Sequence, residues 1–292
     1  RHGEYFYAKR YCRPQSYTVR GHTVWSFKGY DNHEELNALF YTFMIRRRKV
    51  DILTQLPEKN RICITLEPLS AKQTKEIAAL LKVEKPNPPK KPKDEAGTTT
   101  TTTTPQGEAK YMDSFRLTNK YKIPHVVKFL KEQILEDCMT NDPQMKTLIF
   151  FHHEAMQKAL EELLRDELQG QFPYFVISGS TSPAQRDAFK EAFQTSDQYR
   201  IGLLSITAAG VGLTLTAAST EVFTEILFGP NDHLQAEDRA HRLGQKSAVN
   251  IFYLIQPQTT DDINFGLIRK KERESSLMLD GQASALPARR VA

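Results

Sequence analysis

The chain has 292 residues, 39% of them hydrophobic, with 40 Lys and Arg against 35 Asp and Glu for a net charge of +5. That is apolar material for one good-sized core, or a core with a smaller appendage, and the mild basic excess permits a nucleic-acid partner without demanding one. Cys12, Cys63 and Cys138 are far apart and form no CxxC pair, which excludes a disulfide framework or a zinc-finger pattern and makes a reducing compartment the expectation.

The start, "RHGEYFYAKR", shows no apolar run behind a basic stretch, so no signal peptide is read there. It also lacks Met, and the chain reads as a piece of a longer protein. "NHEELNALFYTFMIRRRKVDILTQLP" places Leu36, Leu39, Phe40, Phe43 and Met44 at helical spacing and predicts a helix. "SAKQTKEIAALLK" predicts a second helix with Ser70 as N-cap. Lys82 to Lys110 combines Pro, Lys and the tract Thr98–Thr104, a composition too poor in apolar groups to offset ordering entropy, and is expected to be disordered. Within it "PKKPK", Pro89 to Lys93, suits a nuclear import signal or a solvated basic linker. "KIPHVVKFLKEQILED" predicts a further helix.

From Lys146 the texture changes to short β-rich runs, "TLIFF" (147–151), "PYFVIS" (173–178), "IGLLSI" (201–206), "EVFTEILF" (221–228) and "NIFYLI" (250–255), alternating with helical stretches. Strand, helix, strand with continuously apolar strands predicts an α/β fold: a parallel sheet with helices on both faces. Ile201 to Thr220 is uncharged and long enough for a bilayer. Its three Gly and six Ser or Thr make it a buried strand and a glycine loop instead.

Ligands of such sheets sit beyond the C-terminal strand ends. Three polar stretches follow those ends: "SGSTSPAQR", "TAAGVGLTLT" and "GPNDHLQAEDRAHRLGQ". In the last, Asp232 is a candidate N-cap with Gln235 three positions on. Gln235, Arg239 and Arg242 then share one helix face at i, i+4 and i+7, and two guanidiniums there make a fork for phosphate oxygens. The same spacing suits an Asp238–Arg242 pair on a solvated face. Gly210 and Gly212 allow a tight turn with or without a ligand. Ser178, Ser180, Thr181 and Ser182 suit a nucleic-acid phosphate at a helix start, or plain capping. His152 and His153, adjacent in sequence, point in different directions, so no metal site is expected.

"KTLIFFHHEAM", "ISGSTSPAQRDAFKEAFQ", "IGLLSITAAGVGLTLTAAS" and "QAEDRAHRLGQKSAVNIFYLI", in this order and spacing, resemble the second RecA-like lobe of the Swi/Snf-related ATPases of helicase superfamily two. "FMIRRRKVDILTQLPEK" resembles the segment linking the two lobes, and "DDINFGLIRKKERESSLMLDG" the closing brace helix. Within the family the annealing helicases are most similar. Thr214 stands where many nucleosome remodellers carry Asn, and "FGPND" where they carry a Trp-Asn-Pro run.

The resemblance implies four regions: residues 1–60, the mainly helical tail of the first lobe and linker; 61–120, a helical protrusion with the disordered insertion; 121–258, the RecA-like lobe; and 259–292, brace and tail. It implies a DNA-dependent ATPase in the nucleus, acting on forked or branched DNA in fork remodelling and repair. ATP would sit between this lobe and the first RecA-like lobe of the same parent, which brings the phosphate loop and the Mg-binding acids. Arg242 and Arg239 would be arginine fingers, with Gln235, Gly210 and Gly212 lining the nucleotide cleft. Ser180, Thr181, Arg186 and Ser205 would face the DNA backbone. No "GxxxxGK[ST]" loop occurs in the chain, so it is expected to hydrolyse no ATP alone. A chromatin-remodelling lobe and a catalytically silent binding module are the alternatives.

Overall fold

The structure, a computed structural model, describes residues 2–19, 22–27, 29–47, 49–81, 105–142, 144–208, 212–281 and 290–291. It divides into two compact units, Arg1–Thr54 with Ile268–Leu286, and Gln55–Leu267 with Pro287–Ala292.

The smaller unit opens with α1 (His2–Tyr11), a hairpin of β1 (Gln15–Val19) and β2 (His22–Ser26), and α2 (His33–Phe40). The long helix predicted from Asn32 onward stops at Phe40. Tyr41–Phe43 form a turn, and a one-turn helix, α3 (Lys49–Ile52), follows. Phe43 and Ile45 are exposed, so the apolar spacing there does not mark a buried face. The Arg46 guanidinium donates to both carboxylate oxygens of Asp280, at 2.5 and 3.0 Å, and Asn37 donates to Met278 O at 2.8 Å. These contacts tie Arg46 and Asn37 to the last turn of the final helix.

The larger unit begins with β3 (Lys59–Thr65), then α4 (Ala71–Leu81) and α5 (Pro105–Phe129), which runs on as π-helical turns through Leu130–Leu135 and Asp137–Asn141. Ser70 caps α4 as expected, with its Oγ accepting from Gln73 N and Gln73 Oε1 accepting from Ser70 N. Of the insertion expected to be disordered, residues 105–110 are helical and belong to α5; the rest of it, with the Thr tract and "PKKPK", lies outside the described residues.

Then come β4 (Thr147–Phe151), α6 (Glu154–Leu168), β5 (Tyr174–Ile177), α7 (Pro183–Thr195), β6 (Ile201–Ser205), β7 (Thr220–Phe223), α8 (Pro230–Glu237), β8 (Val249–Ile255), α9 (Thr260–Asp280) and β9 (Arg290–Val291). The sheet order is β5-β6-β4-β7-β8-β3-β9, and every pairing is parallel. Central β4 and β6 are buried at every position, which is why they read as unbroken apolar runs. On α6, Met156, Leu160, Leu163, Leu164 and Leu168 are all buried, each contributing about 1.5–3 kcal/mol by leaving water.

Three further features differ from the sequence reading. β3 falls where a helical protrusion was expected; only Cys63 among its residues is fully buried, and Lys59 and Arg61 hide its period. β7 ends at Phe223 rather than Phe228; Thr224 N–H makes the last ladder bond to Phe150 O at 3.0 Å, and its Oγ donates to the same carbonyl at 2.8 Å. α8 starts from Gly229 and Pro230, with no side-chain cap, so Asp232 is not its N-cap. Among the described residues no helix is long and apolar enough to cross a membrane.

Candidate functional site

The C-terminal ends of β5, β6 and β4 lie level. Ile177 pairs with Leu204, and Ser205 pairs with Phe151, so Ser178, Ser205 and His152 leave the sheet together. Topology thus delivers the polar stretches to one edge, as the alternation of strands and helices required.

Beyond β6, Ser205 is buried and its Oγ lies 3.1 Å from the exposed Thr207 hydroxyl. Gly210 lies outside the described residues. Gly212 is exposed with φ +43°, a left-handed conformation that favours glycine, and nothing stands within 4 Å of where a Cβ would be.

The arginine stretch approaches this loop from the other side. Helix α8 ends at Glu237, and the chain tightens through Arg239 N to Ala236 O (2.9 Å) and Arg242 N to Ala240 O (2.9 Å). Gln235, Arg239 and Arg242 therefore do not share a helix face. Gln235 stands exposed on α8, while Arg239 and Arg242 sit on the turn after it, the first buried and the second exposed. Asp238 lies 3.5 Å from Lys59 Nζ.

Three hydrogen bonds join this turn to the glycine loop: Arg239 Nη1 to Leu213 O (3.3 Å), Leu215 N to Arg239 O (2.8 Å) and Arg242 Nη1 to Thr214 Oγ1 (3.2 Å). Burial, and then the charge of Arg242, lower the Arg239 pKa, although a guanidinium remains charged. Gln245, buried, ties the end of the stretch down by donating to Ala218 O and Ala240 O, at 2.8 and 3.2 Å.

Under the turn lies a polar network that sequence reasoning missed. Glu237 is buried and accepts from Lys59 Nζ, Arg61 Nε and Arg61 Nη2, each at 2.7 Å, and from Tyr253 OH at 2.5 Å. Burial pushes its pKa up, but Lys59 and Arg61 overcome that and hold it at about 2. Its neighbour Glu221 is buried too; burial first and the Glu237 charge second drive its pKa well above 4.5, toward the neutral form. Its signal in sequence was an acid at the start of an apolar strand, which needs a partner the sequence does not identify.

The β5 end is a compact loop. Ser182 and Gln185 form a reciprocal capping box at the start of α7, with Pro183 opening the helix as expected. Thr181 Oγ1 accepts from Ser178 N at 3.0 Å, and the Ser178 and Ser180 hydroxyls lie 2.9 Å apart. Arg186 folds back to donate to Thr181 O and Ser178 O, at 3.0 and 3.1 Å. Ser180, Thr181 and Arg186 thus come together here, and Arg239, Arg242, Thr214 and Gly212 form a second group around the β6 loop.

At the β4 end the carboxylate of buried Glu225 accepts from the backbone N–H of His152 and of His153 (2.9 Å for the latter), and its Oε1 lies 2.6 Å from His153 Nδ1. Among the described residues no group of three His, Cys, Asp or Glu is arranged to hold a metal ion.

Residues 129–244 match the family model described as the helicase conserved C-terminal domain. The human protein named DNA annealing helicase and endonuclease ZRANB3 is 33% identical over 282 residues, 97% of this chain and 24% of that protein. A Caenorhabditis elegans homolog of SWI/SNF-related matrix-associated actin-dependent regulator of chromatin subfamily A-like protein 1 is 36% identical over 269 residues, 91% of this chain and 35% of that protein. The chain thus spans only a quarter to a third of the length of these relatives. Among solved structures, the C-terminal part of the Fun30 ATPase domain superposes with a TM-score of 0.53 at 20% identity, covering 73% of this chain and 89% of that one, which places the sheet and its helices in the same RecA-like α/β fold.

Proposed function

Because the chain carries a helicase C-terminal domain of the Swi/Snf-related ATPases, we propose that it is the second motor lobe of an ATP-dependent DNA translocase or annealing helicase, working in replication-fork remodelling and DNA repair in the nucleus. One observation carries the reading: the exposed Arg242 is seated on Thr214 of the glycine loop, beside a second guanidinium, at the ligand edge of the sheet.

The residues fit a phosphate. Burial first and the charge of Arg242 second lower the pKa of Arg239, and the closeness of the two guanidiniums favours an anion between them. The Gly212 backbone carries no side chain that would block a close approach. ATP, with Mg held mainly by the first lobe, supplies the phosphoanhydride bond to be broken. Arg242 presents its planar fork to the phosphate oxygens and neutralises charge there; such a residue contributes about 10³–10⁵ in rate in nucleotide hydrolases. Arg239 adds its charge and holds Leu213, which keeps the loop in place. Gln235 and Gly212 line the same cleft.

Ser180, Thr181 and Arg186, at the end of β5, face the DNA backbone, with Ser205 buried at the end of the adjacent β6. The contacts are to phosphate, so binding varies little with sequence and weakens with salt.

The test separates the half-site from a complete enzyme. Purified residues 1–292 should show no DNA-stimulated ATP hydrolysis, and the same residues following a first motor lobe in one polypeptide should show it. Turnover by residues 1–292 alone would overturn the reading.

A further inference from the structure

We propose that His241 and Glu237 are positioning residues for Arg242: they clamp the turn that carries it to the strand by which the chain enters the lobe. This deepens the preceding proposal and rests on it.

The turn has little structure of its own, since α8 stops at Glu237 and Arg242 follows five residues later. It is held on one side by the glycine loop and Gln245 and on the other by Pro57–Arg61. His241 Nε2 lies 2.8 Å from Pro57 O. A carbonyl only accepts, so Nε2 carries the proton. Lys59 Nζ donates to Glu237 Oε2 at 2.7 Å, and Arg61 grips the same carboxylate through two nitrogens, both at 2.7 Å. Tyr253 OH, on β8, fills the remaining site at 2.5 Å. Val249 N to Glu58 O, at 2.9 Å, sets the register of the entering strand against β8.

A buried carboxylate with two cations is a poor way to gain stability, because desolvation offsets much of the attraction. It is a good way to specify one geometry: four donors from three side chains leave the carboxylate a single orientation. The residues just upstream of Lys59 resemble the inter-lobe linker. A displacement of that segment moves Pro57 O, which is one hydrogen bond from the neighbour of Arg242. The clamp therefore makes the stance of Arg242 depend on the linker, so that lobe closure and placement of the guanidinium are one event.

The experiment uses a polypeptide in which a first motor lobe precedes this chain. His241→Ala should lower kcat about tenfold or more, with KM for ATP and affinity for DNA within about twofold, because a small misplacement of a charge-stabilising group acts on rate rather than binding. His241→Gln keeps a donor near the Nε2 position and should restore most of the rate. In residues 1–292, His241→Ala should speed hydrogen exchange at Leu215, whose N–H is held by Arg239 O, without changing exchange in β4. That measurement stands whether or not the variant retains turnover.

Unchanged kcat in His241→Ala, with Arg242→Ala inactive, overturns the clamp and leaves the motor-lobe reading intact. If both variants keep full turnover, the motor-lobe reading fails and the clamp fails with it. Failure of His241→Gln to restore the rate, or faster exchange throughout the core, also overturns the clamp.

Discussion

Arg242 Nη1 donates to Thr214 Oγ1 at 3.2 Å, and this contact joins the two stretches that carry the candidate nucleotide site. The hydroxyl holds one corner of the guanidinium while the side chain remains exposed. If the chain works behind a first motor lobe as proposed, Arg242→Ala in that two-lobe polypeptide should lower DNA-stimulated kcat by about 10³-fold or more. Arg242→Lys should not restore it, because an ammonium cannot reproduce the planar fork. Thr214→Val should cost much less, since it loosens the fork without removing charge. Steady-state ATPase assays, with DNA binding followed by anisotropy, check all three; a DNA affinity that collapses with Arg242→Ala would place the residue in the wrong site.

Arg186 both shapes the β5 loop and carries charge to it, through its bonds to Thr181 O and Ser178 O. Removing it should weaken DNA binding and flatten the salt dependence by about one phosphate contact, roughly 0.7–0.9 in the slope of log K against log salt. Titrations of Arg186→Ala at several salt concentrations give that slope. Equal slopes for variant and wild type would remove Arg186 from the DNA surface.

Glu221 makes stability depend on pH. Its folded-state pKa is raised well above 4.5, by burial first and the Glu237 charge second. The folded chain therefore holds a proton that the unfolded chain gives up, and stability falls as pH rises above 4.5 toward the folded pKa. Glu221→Gln mimics the neutral form, so its advantage over wild type should grow from pH 5 to pH 8 in urea unfolding. A difference that does not change with pH would mean that Glu221 is ionised. Glu237 works in a separate window: its stabilisation is present above 4.5 and is lost as pH falls toward about 2.

His233 acts with the sign opposite to Glu221. Its Nε2 accepts from Leu227 N at 3.1 Å, and burial lowers its pKa to about 4 from 6.5. A His kept neutral contributes stability above 6.5 that is lost as pH falls toward 4, about 3 kcal/mol over the window. His233→Phe should be less stable at pH 7, because Leu227 N–H loses its acceptor, by about 1–3 kcal/mol. It should also lack that acid dependence. Unfolding free energies at pH 4 and pH 7 decide it, and equal pH dependence in both proteins would show that His233 does not titrate there.

The parallel sheet was legible because β4, β6 and β8 are covered by neighbours and must be apolar along most of their length. Their order also placed the polar stretches at one edge, since a strand that feeds a helix delivers its following loop there. The start of α7 was legible in Ser182, Pro183 and Gln185, where capping chemistry is local. By contrast, β3 carries Lys59 and Arg61 inward toward Glu237, and no local pattern announces a charged strand whose partner lies 176 residues away.

Residue chemistry and spacing by themselves determined the α/β class, the sheet edge and the stretches that belong to it, because burial and capping act over a few residues. Only the tertiary structure decided that α8 ends before its arginines, that Arg239 is buried while Arg242 is exposed, and that Thr214 and Pro57 lie beside that turn. Those outcomes depend on hydrogen bonds and ion pairs between segments distant in the chain, and such pairings have no period or local composition to reveal them.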